Sequence, residues 1–426
     1  MKKTILFLLL LFSVSFAQTN KPPDEIKVPK ILVSGNFYDM QYLKEQIPVV
    51  DYVNDRKDAD VHVLVTSQST GSGGSLYTLF FYGQNQYDKM NDTIKVVTDQ
   101  IDSGDMVRGK IARGIKTGLF GYLRKSGVSD QLTVGFINNK SKAPEKKEDP
   151  WDSWVFRASF SGNFDGQSSS KYSSMYGSFS AGRTTEDLRL SFSFSNSYSE
   201  NSYSYDIEGT NYEFKNISRS QNIGASAVVA LSDHWSLGSW GSIYKSTYGN
   251  IDYDWGLTAG IEYNFFPYSE STQKQLRFVY KTGINYNKYF EETIYFKESE
   301  YLAIQSASLS LSLTQPWGNV SLGVYASNYW QDMNKYDISF STYLSLKLFK
   351  GVSLNGSLSY SKINNQIALA RSGASVEDVL LRIRQLETNY QYYASVGISF
   401  SFGSIFNSIV NPRFGGGGSG TVIYYD

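Results

Sequence analysis

Cysteine is absent from the 426 residues, which excludes a disulfide framework, a thiolate-bound metal and a cysteine nucleophile. Histidine occurs only twice, as His62 and His234, too few for a multi-histidine metal centre. Neither sign of charge prevails. The 40 basic and 40 acidic residues cancel, so no global field draws the chain to nucleic acid. Beyond the first twenty residues no apolar run approaches the roughly 20 residues that a spanning helix needs. The Gly71-Ser72-Gly73-Gly74 stretch lacks the Lys-Ser or Lys-Thr pair of a phosphate cradle and leads into a strand, so it reads as a hairpin tip. No cofactor is expected.

What the chain has instead is alternation. Leu188, Leu190, Phe192 and Phe194 alternate with Arg189, Ser191, Ser193 and Ser195. Leu309, Leu311 and Leu313 alternate with serines, and so do Val396, Ile398, Phe400 and Phe402 with small residues. A period of two gives each strand one apolar and one polar face. The polar face is mostly Ser, Gly, Asn and Tyr, where a soluble sandwich facing bulk water would carry many Lys and Glu. That lining suits an enclosed lumen. Aromatic content of 15 %, with 33 Tyr, fits strands that end at membrane interfaces. The mean hydropathy of -0.33 agrees, because only alternate residues of a barrel strand face lipid.

Taken in order, residues 1–17 read as an export signal: Lys2 and Lys3, an apolar Ile5–Phe12, then Ser15-Phe16-Ala17. Residues 18–29 hold three prolines and read as a tether. Residues 30–136 read as a small α/β domain of order β-α-β-β-α. Its strands are expected at 31–37, 61–67, 76–82 and 94–97, its helices at 40–46 and 105–123, and a closing strand at 132–136. His62 reads as a packed strand residue. The charged, proline-bearing residues 137–150 read as a linker.

Residues 151–403 divide into about twelve strands, centred on 154–164, 172–183, 186–198, 211–231, 235–248, 253–266, 274–289, 301–314, 318–331, 336–349, 352–366 and 388–403; ten or fourteen are the alternatives. All reach the nine to eleven residues needed to cross a bilayer when tilted. Connections at 184–186, 232–234, 315–318 and 349–351 are short, and those at 199–210, 290–300 and 367–387 are longer. This is the parity of a barrel with inner turns and outer loops, with both barrel ends on the periplasmic side. Trp154, Trp235, Trp255, Trp317 and Trp330 fall near strand ends, as an interfacial girdle requires. Arg157, Arg189, Glu262, Lys281 and Lys347 are expected on the inward face, lining a path or forming a stiffening network. Val379, Leu380 and Ile383 lie at helical spacing in the longest loop and are candidates to cap the mouth. Phe400 and Phe402 end the closing strand, and residues 404–426 read as a Gly-rich periplasmic tail.

The alternation and aromatic-ended strands of 151–403 resemble the broad class of uncharacterised outer-membrane barrels of Bacteroidetes-type bacteria. The phrase Asp58-Ala59-Asp60-Val61-His62-Val63-Leu64-Val65, leading into a central strand, resembles the TolB amino-terminal and curli-secretion-lipoprotein type of periplasmic domain. The second resemblance implies a non-catalytic domain that contacts another envelope protein. The fold class expected is therefore mainly β, an antiparallel transmembrane barrel behind a small α/β periplasmic domain, in the bacterial outer membrane. Its expected partners are outer-membrane lipid and lipopolysaccharide, the barrel-assembly machinery and a periplasmic envelope protein bound through 30–136. Its expected function is a small passive pore or an envelope scaffold. The alternatives are an enzyme modifying lipid or lipopolysaccharide, with His234 as the histidine available for a base, and a secreted β-rich binding protein. No catalytic constellation or metal site is expected.

Overall fold

The computed structural model describes residues 28–37, 39–127, 149–207, 209–372 and 386–403. The first unit contains β1 (Lys30–Gly35), α1 (Met40–Gln46), β2 (Asp51–Tyr52), β3 (Val61–Ser69), β4 (Ser75–Gly83), β5 (Asn91–Thr98) and α2 (Gly104–Lys125). The strands form one sheet in the order β2-β1-β3-β4-β5. β1 runs parallel to β2 and β3, and β3, β4 and β5 are antiparallel. Each helix starts on a side-chain cap, Asp39 accepting from the Tyr42 amide at 3.0 Å and Ser103 from the Met106 amide at 3.3 Å. α2 lies close on the sheet because Gly118 faces the Phe81 ring, where a Cβ would come within 2.1 Å. The two-residue β2 is an addition to the expected order, and the strand expected at 132–136 lies outside the described residues.

The second unit is a twelve-stranded antiparallel meander. Its strands are β6 (Trp154–Gln167), β7 (Ser170–Thr184), β8 (Leu188–Ile207), β9 (Thr210–Ala230), β10 (Trp235–Ser246), β11 (Ile251–Asn264), β12 (Lys274–Tyr289), β13 (Ser299–Gln315), β14 (Gly318–Tyr329), β15 (Asp332–Phe349), β16 (Val352–Ile363) and β17 (Tyr390–Phe400). They run from 11 to 21 residues, where strands of soluble domains mostly have about five or six. Long strands of one even sheet, each two-faced, are the transmembrane-barrel kind of β architecture. The chain is thus mainly β with a small α/β unit in front, as the alternation implies. Among the described residues no helix is long and apolar enough to cross a membrane.

The turns correct one expectation. Residues 199–210 are not a loop: β8 and β9 continue as a paired ladder to Ile207 and Thr210, turning at Gly209 with φ 81°. The polar alternation of this stretch is strand, carried past the neighbouring strands. The connections at 247–250 and 330–331 are also short, so the excess length at that end comes from the β8–β9 hairpin and from the segments after β12 and β16. β6 begins and β17 ends at the opposite, short-turn end, where 265–273 is the one longer connection.

One face of the sheet is apolar and exposed. Leu257 is 58 % exposed and Val324 45 %, and Phe192, Phe278, Leu309 and Ile338 project from the same side. On this face Tyr253 and Tyr263 of β11 stand ten residues apart, which on a strand tilted by about 40° spans roughly 25 Å, the height of a lipid-facing band. Aromatic clusters mark both limits. Trp235 and Tyr263 pack with tilted rings 4.6 Å apart near the short-turn end, and Tyr286 and Tyr301 do so at 4.7 Å near the other.

Candidate functional site

The polar face is the site that the alternation builds. Residues directly opposite in a ladder share a face, and following the ladders places Arg157, Arg189, Glu262, Lys281 and Lys347 all on this side. The lining between them is largely serine. Ser159 pairs with Ser178 and Ser191 with Ser226, both at 2.7 Å, and Ser353 with Ser399 at 2.6 Å.

Charge on this face is sorted by height. Near the short-turn end stand Arg157, Arg189, Glu262, Arg277 and Lys347. Toward the other end stand Asp165, Asp254, Glu300 and Asp337. The carboxylates are held by tyrosines where partners are in reach: Tyr268 donates to Glu262 at 2.9 Å and Tyr289 to Glu300 at 2.8 Å. Lys281, midway, rests its ammonium 3.6 Å from the centre of the Trp240 ring. Beside it lies a cavity of about 190 Å³ lined by Thr258, Asn285, Ser306, Tyr325 and Tyr329.

At the short-turn end the α/β unit meets the sheet at three separated places. The β3–β4 hairpin tip packs Gly71 against Thr184 of β7. With the Gln100 amide oxygen turned to the guanidinium, Arg157 of β6 donates to it through Nε and Nη2, each at 3.0 Å. Tyr82 accepts from Gln273, beside the start of β12, at 2.8 Å. Between β15 and β16, Lys350 donates to Asp58 at 2.7 Å and the Gly351 amide to Asp55 at 3.0 Å. A cleft of about 680 Å³ at this last contact is lined by Asp55, Lys347, Phe400 and Phe402. Three contacts spread from β6 to β16 hold the unit over the end of the sheet.

The α/β sheet has two buried faces, and its helices cover one of them. Val61, Val63 and Val65 pack with Ile111, Ile115 and Leu119 on the helix side. The other side carries His62, Leu64, Thr66 and Thr78, all buried, together with Tyr82, which bonds to Gln273. His62 shares a hydrogen bond with Ser34 Oγ at 2.7 Å. Burial, reinforced by the charges of Lys347 and Arg56, pushes its pKa down to about 3. A lysine of the barrel's polar face therefore acts on the core of the domain.

His234 sits in the short turn before β10, with Nδ1 2.7 Å from the Asn264 carbonyl oxygen. Its ring lies 6.0 Å from that of Tyr263, so main chain and an aromatic neighbour hold it at the turn. Among the described residues no group of three or more His, Cys, Asp or Glu could hold a metal. Val379, Leu380 and Ile383 lie outside the described residues.

No protein-family model matches the chain, and no curated protein matches it. Among solved structures it is similar to the NanC porin, at 9 % identity and a TM-score of 0.26 over 57 % of this chain and 99 % of that one. It is similar to the KdgM porin at 12 % identity and a TM-score of 0.26, over 58 % and 100 %. The Pseudomonas putida toluene transporter TodX matches at 8 % identity and a TM-score of 0.24, over 71 % and 80 %. At such scores the likeness carries no weight, and the class of fold rests on this chain's own strands and ladders.

Proposed function

We propose that the chain is an outer-membrane β-barrel pore whose periplasmic mouth is covered by its own amino-terminal domain. The observation that carries the membrane reading is the exposed apolar face of the twelve-stranded sheet. An apolar band this extensive is not left facing water by a soluble monomer. In hydrocarbon the same strands satisfy their backbone through their ladders. The polar serine face then encloses a lumen, and Arg157, Arg189, Glu262, Lys281 and Lys347 line it. An export signal followed by barrel strands leads to the outer membrane, with the short turns, the α/β domain and the tail in the periplasm.

The three contacts between domain and strand ends support a covered mouth in place of the freely open pore that the lining alone would suggest. Docking on an envelope protein through the domain's outer side is compatible with this arrangement. The membrane reading is tested by fractionation of cells expressing the full chain. Recovery in the outer membrane, with release only by detergent, is the expected outcome. Recovery of folded protein from the soluble periplasm or the medium would overturn it in favour of a secreted binding protein.

A further inference from the structure

The twelve-stranded sheet has two free edges. Among the described residues no ladder joins β6 to β17, and these strands are the most exposed of the twelve, Phe160 and Val396 each at 77 %. Resting on the membrane-barrel reading above, the edges need partners in hydrocarbon, and each other's edge is the nearest antiparallel candidate. β6 runs away from the short-turn end and β17 runs back to it.

The existing ladders set how the two edges meet. From Trp154, directly opposite residues lead through Leu190, Ser239, Thr282 and Asn328 to the level of Thr388. Thr388 lies twelve residues before Phe400 (388 against 400), although Trp154 and Phe400 both mark the short-turn end. A drift of twelve over eleven ladders extrapolates to about 13 on closing the twelfth. The polar faces of β6 and β17 both carry odd-numbered residues, so the total stagger must be even. With about 3.3 Å per residue and 4.8 Å per strand, a stagger of 14 tilts the strands by about 39°. A stagger of 12 gives about 35°, at the lower limit of the usual range of about 35–45°, so 14 is the even value near 13 that lies well inside it.

We propose that β6 and β17 close the barrel on each other with a total stagger of 14, which places Arg157 opposite Ser399. Outside, this sets Phe156 against Phe400, Phe160 against Val396 and the small Gly162 against Ala394. Inside, Ser161 meets Ser395. The backbone groups of Phe156–Gly166 and Tyr390–Phe400 then have partners across the seam, and the lumen is sealed from the lipid along it. Solutes must pass through the mouths, and no lateral slot opens between β6 and β17.

The absence of native cysteine makes the register directly readable. Directly opposite Cβ atoms lie about 4.5–5.5 Å apart and those one pair along about 7–8 Å, so a disulfide distinguishes them. The full chain is expressed with Ser161→Cys combined with Ser395→Cys, Tyr393→Cys or Gly397→Cys, and with Gly162→Cys plus Ala394→Cys. These pairs sample both the hydrogen-bonded and the non-hydrogen-bonded sites. Ser353→Cys plus Ser399→Cys, across the existing β16–β17 ladder, reports that β17 is in place. Oxidised outer membranes are examined by gel mobility. Cross-linking of 161 with 395, or of 162 with 394, and not of 161 with 393 or 397, is expected. A 161–393 or 161–397 bond would overturn the register. A control bond without any seam bond would overturn closure in a chain that is still a membrane protein. Recovery of the chain as a soluble protein would instead remove the membrane reading on which closure rests.

Discussion

Buried and neutral, His62 makes the domain sensitive to acid. In the unfolded chain its pKa is that of an ordinary histidine, 6.5, and in the folded domain about 3. Below pH 6.5 the unfolded state therefore binds a proton that the folded state refuses. The stability is fully present above about 6.5 and falls as pH drops from there toward 3, by up to about 1.4 kcal/mol per pH unit. Hydrogen exchange of β3 in the full chain checks this. Protection is expected to fall between pH 7 and 5 and to depend less on pH in His62→Gln. A pH-independent profile in the parent chain would contradict the burial. The sequence made His62 legible as a packed strand residue, because it stands in Val-His-Val-Leu-Val. It could not show that a lysine nearly three hundred positions later acts on it.

Most of the contacts that join the two units come from the β3–β4 hairpin and the turn before it. Its ionic contact, Lys350 with Asp58, is partly exposed, with the two side chains 56 % and 18 % accessible, and such pairs contribute about 0–1 kcal/mol. Lys350→Ala should therefore loosen the domain only slightly. Reversal to Lys350→Glu adds repulsion against both Asp58 and Asp55, and Asp58→Lys in the same chain should restore docking. Protease cleavage at Thr70–Gly74 in outer-membrane fragments that expose the periplasmic side reads this out. The single reversal should cut faster and the double reversal at the parent rate; equal rates in all three would contradict docking at this turn. The barrel strands themselves were legible, because a period of two survives in Leu-Arg-Leu-Ser-Phe-Ser. The extension of β8 and β9 was not, since Ser, Asn and Tyr at 199–210 satisfy strand and loop alike. The docking contacts were hidden for a related reason: Asp55, Asp58, Lys350 and Gln273 stand in turns, where charge and amide groups read as solvated.

At the scale of the whole molecule, a serine-lined barrel carries Arg157, Arg189, Arg277 and Lys347 near one mouth and Asp165, Asp254, Glu300 and Asp337 toward the other, and a small α/β domain lies over the first. Alternation foretold the two-faced β architecture, but not this placement, because the domain and the barrel recognise each other through a few isolated polar residues with no common pattern. The polar lining argues for a passage and the covered mouth argues for its control. Single-channel conductance of the refolded full chain in a planar bilayer decides between a covered and an open passage, compared with a variant in which Asp55→Ala, Asp58→Ala, Tyr82→Phe and Gln100→Ala together release the domain. Rare or no openings in the full chain and repeatable unitary steps in the variant are expected. Equal, steady conductance from both would contradict a mouth covered by the domain.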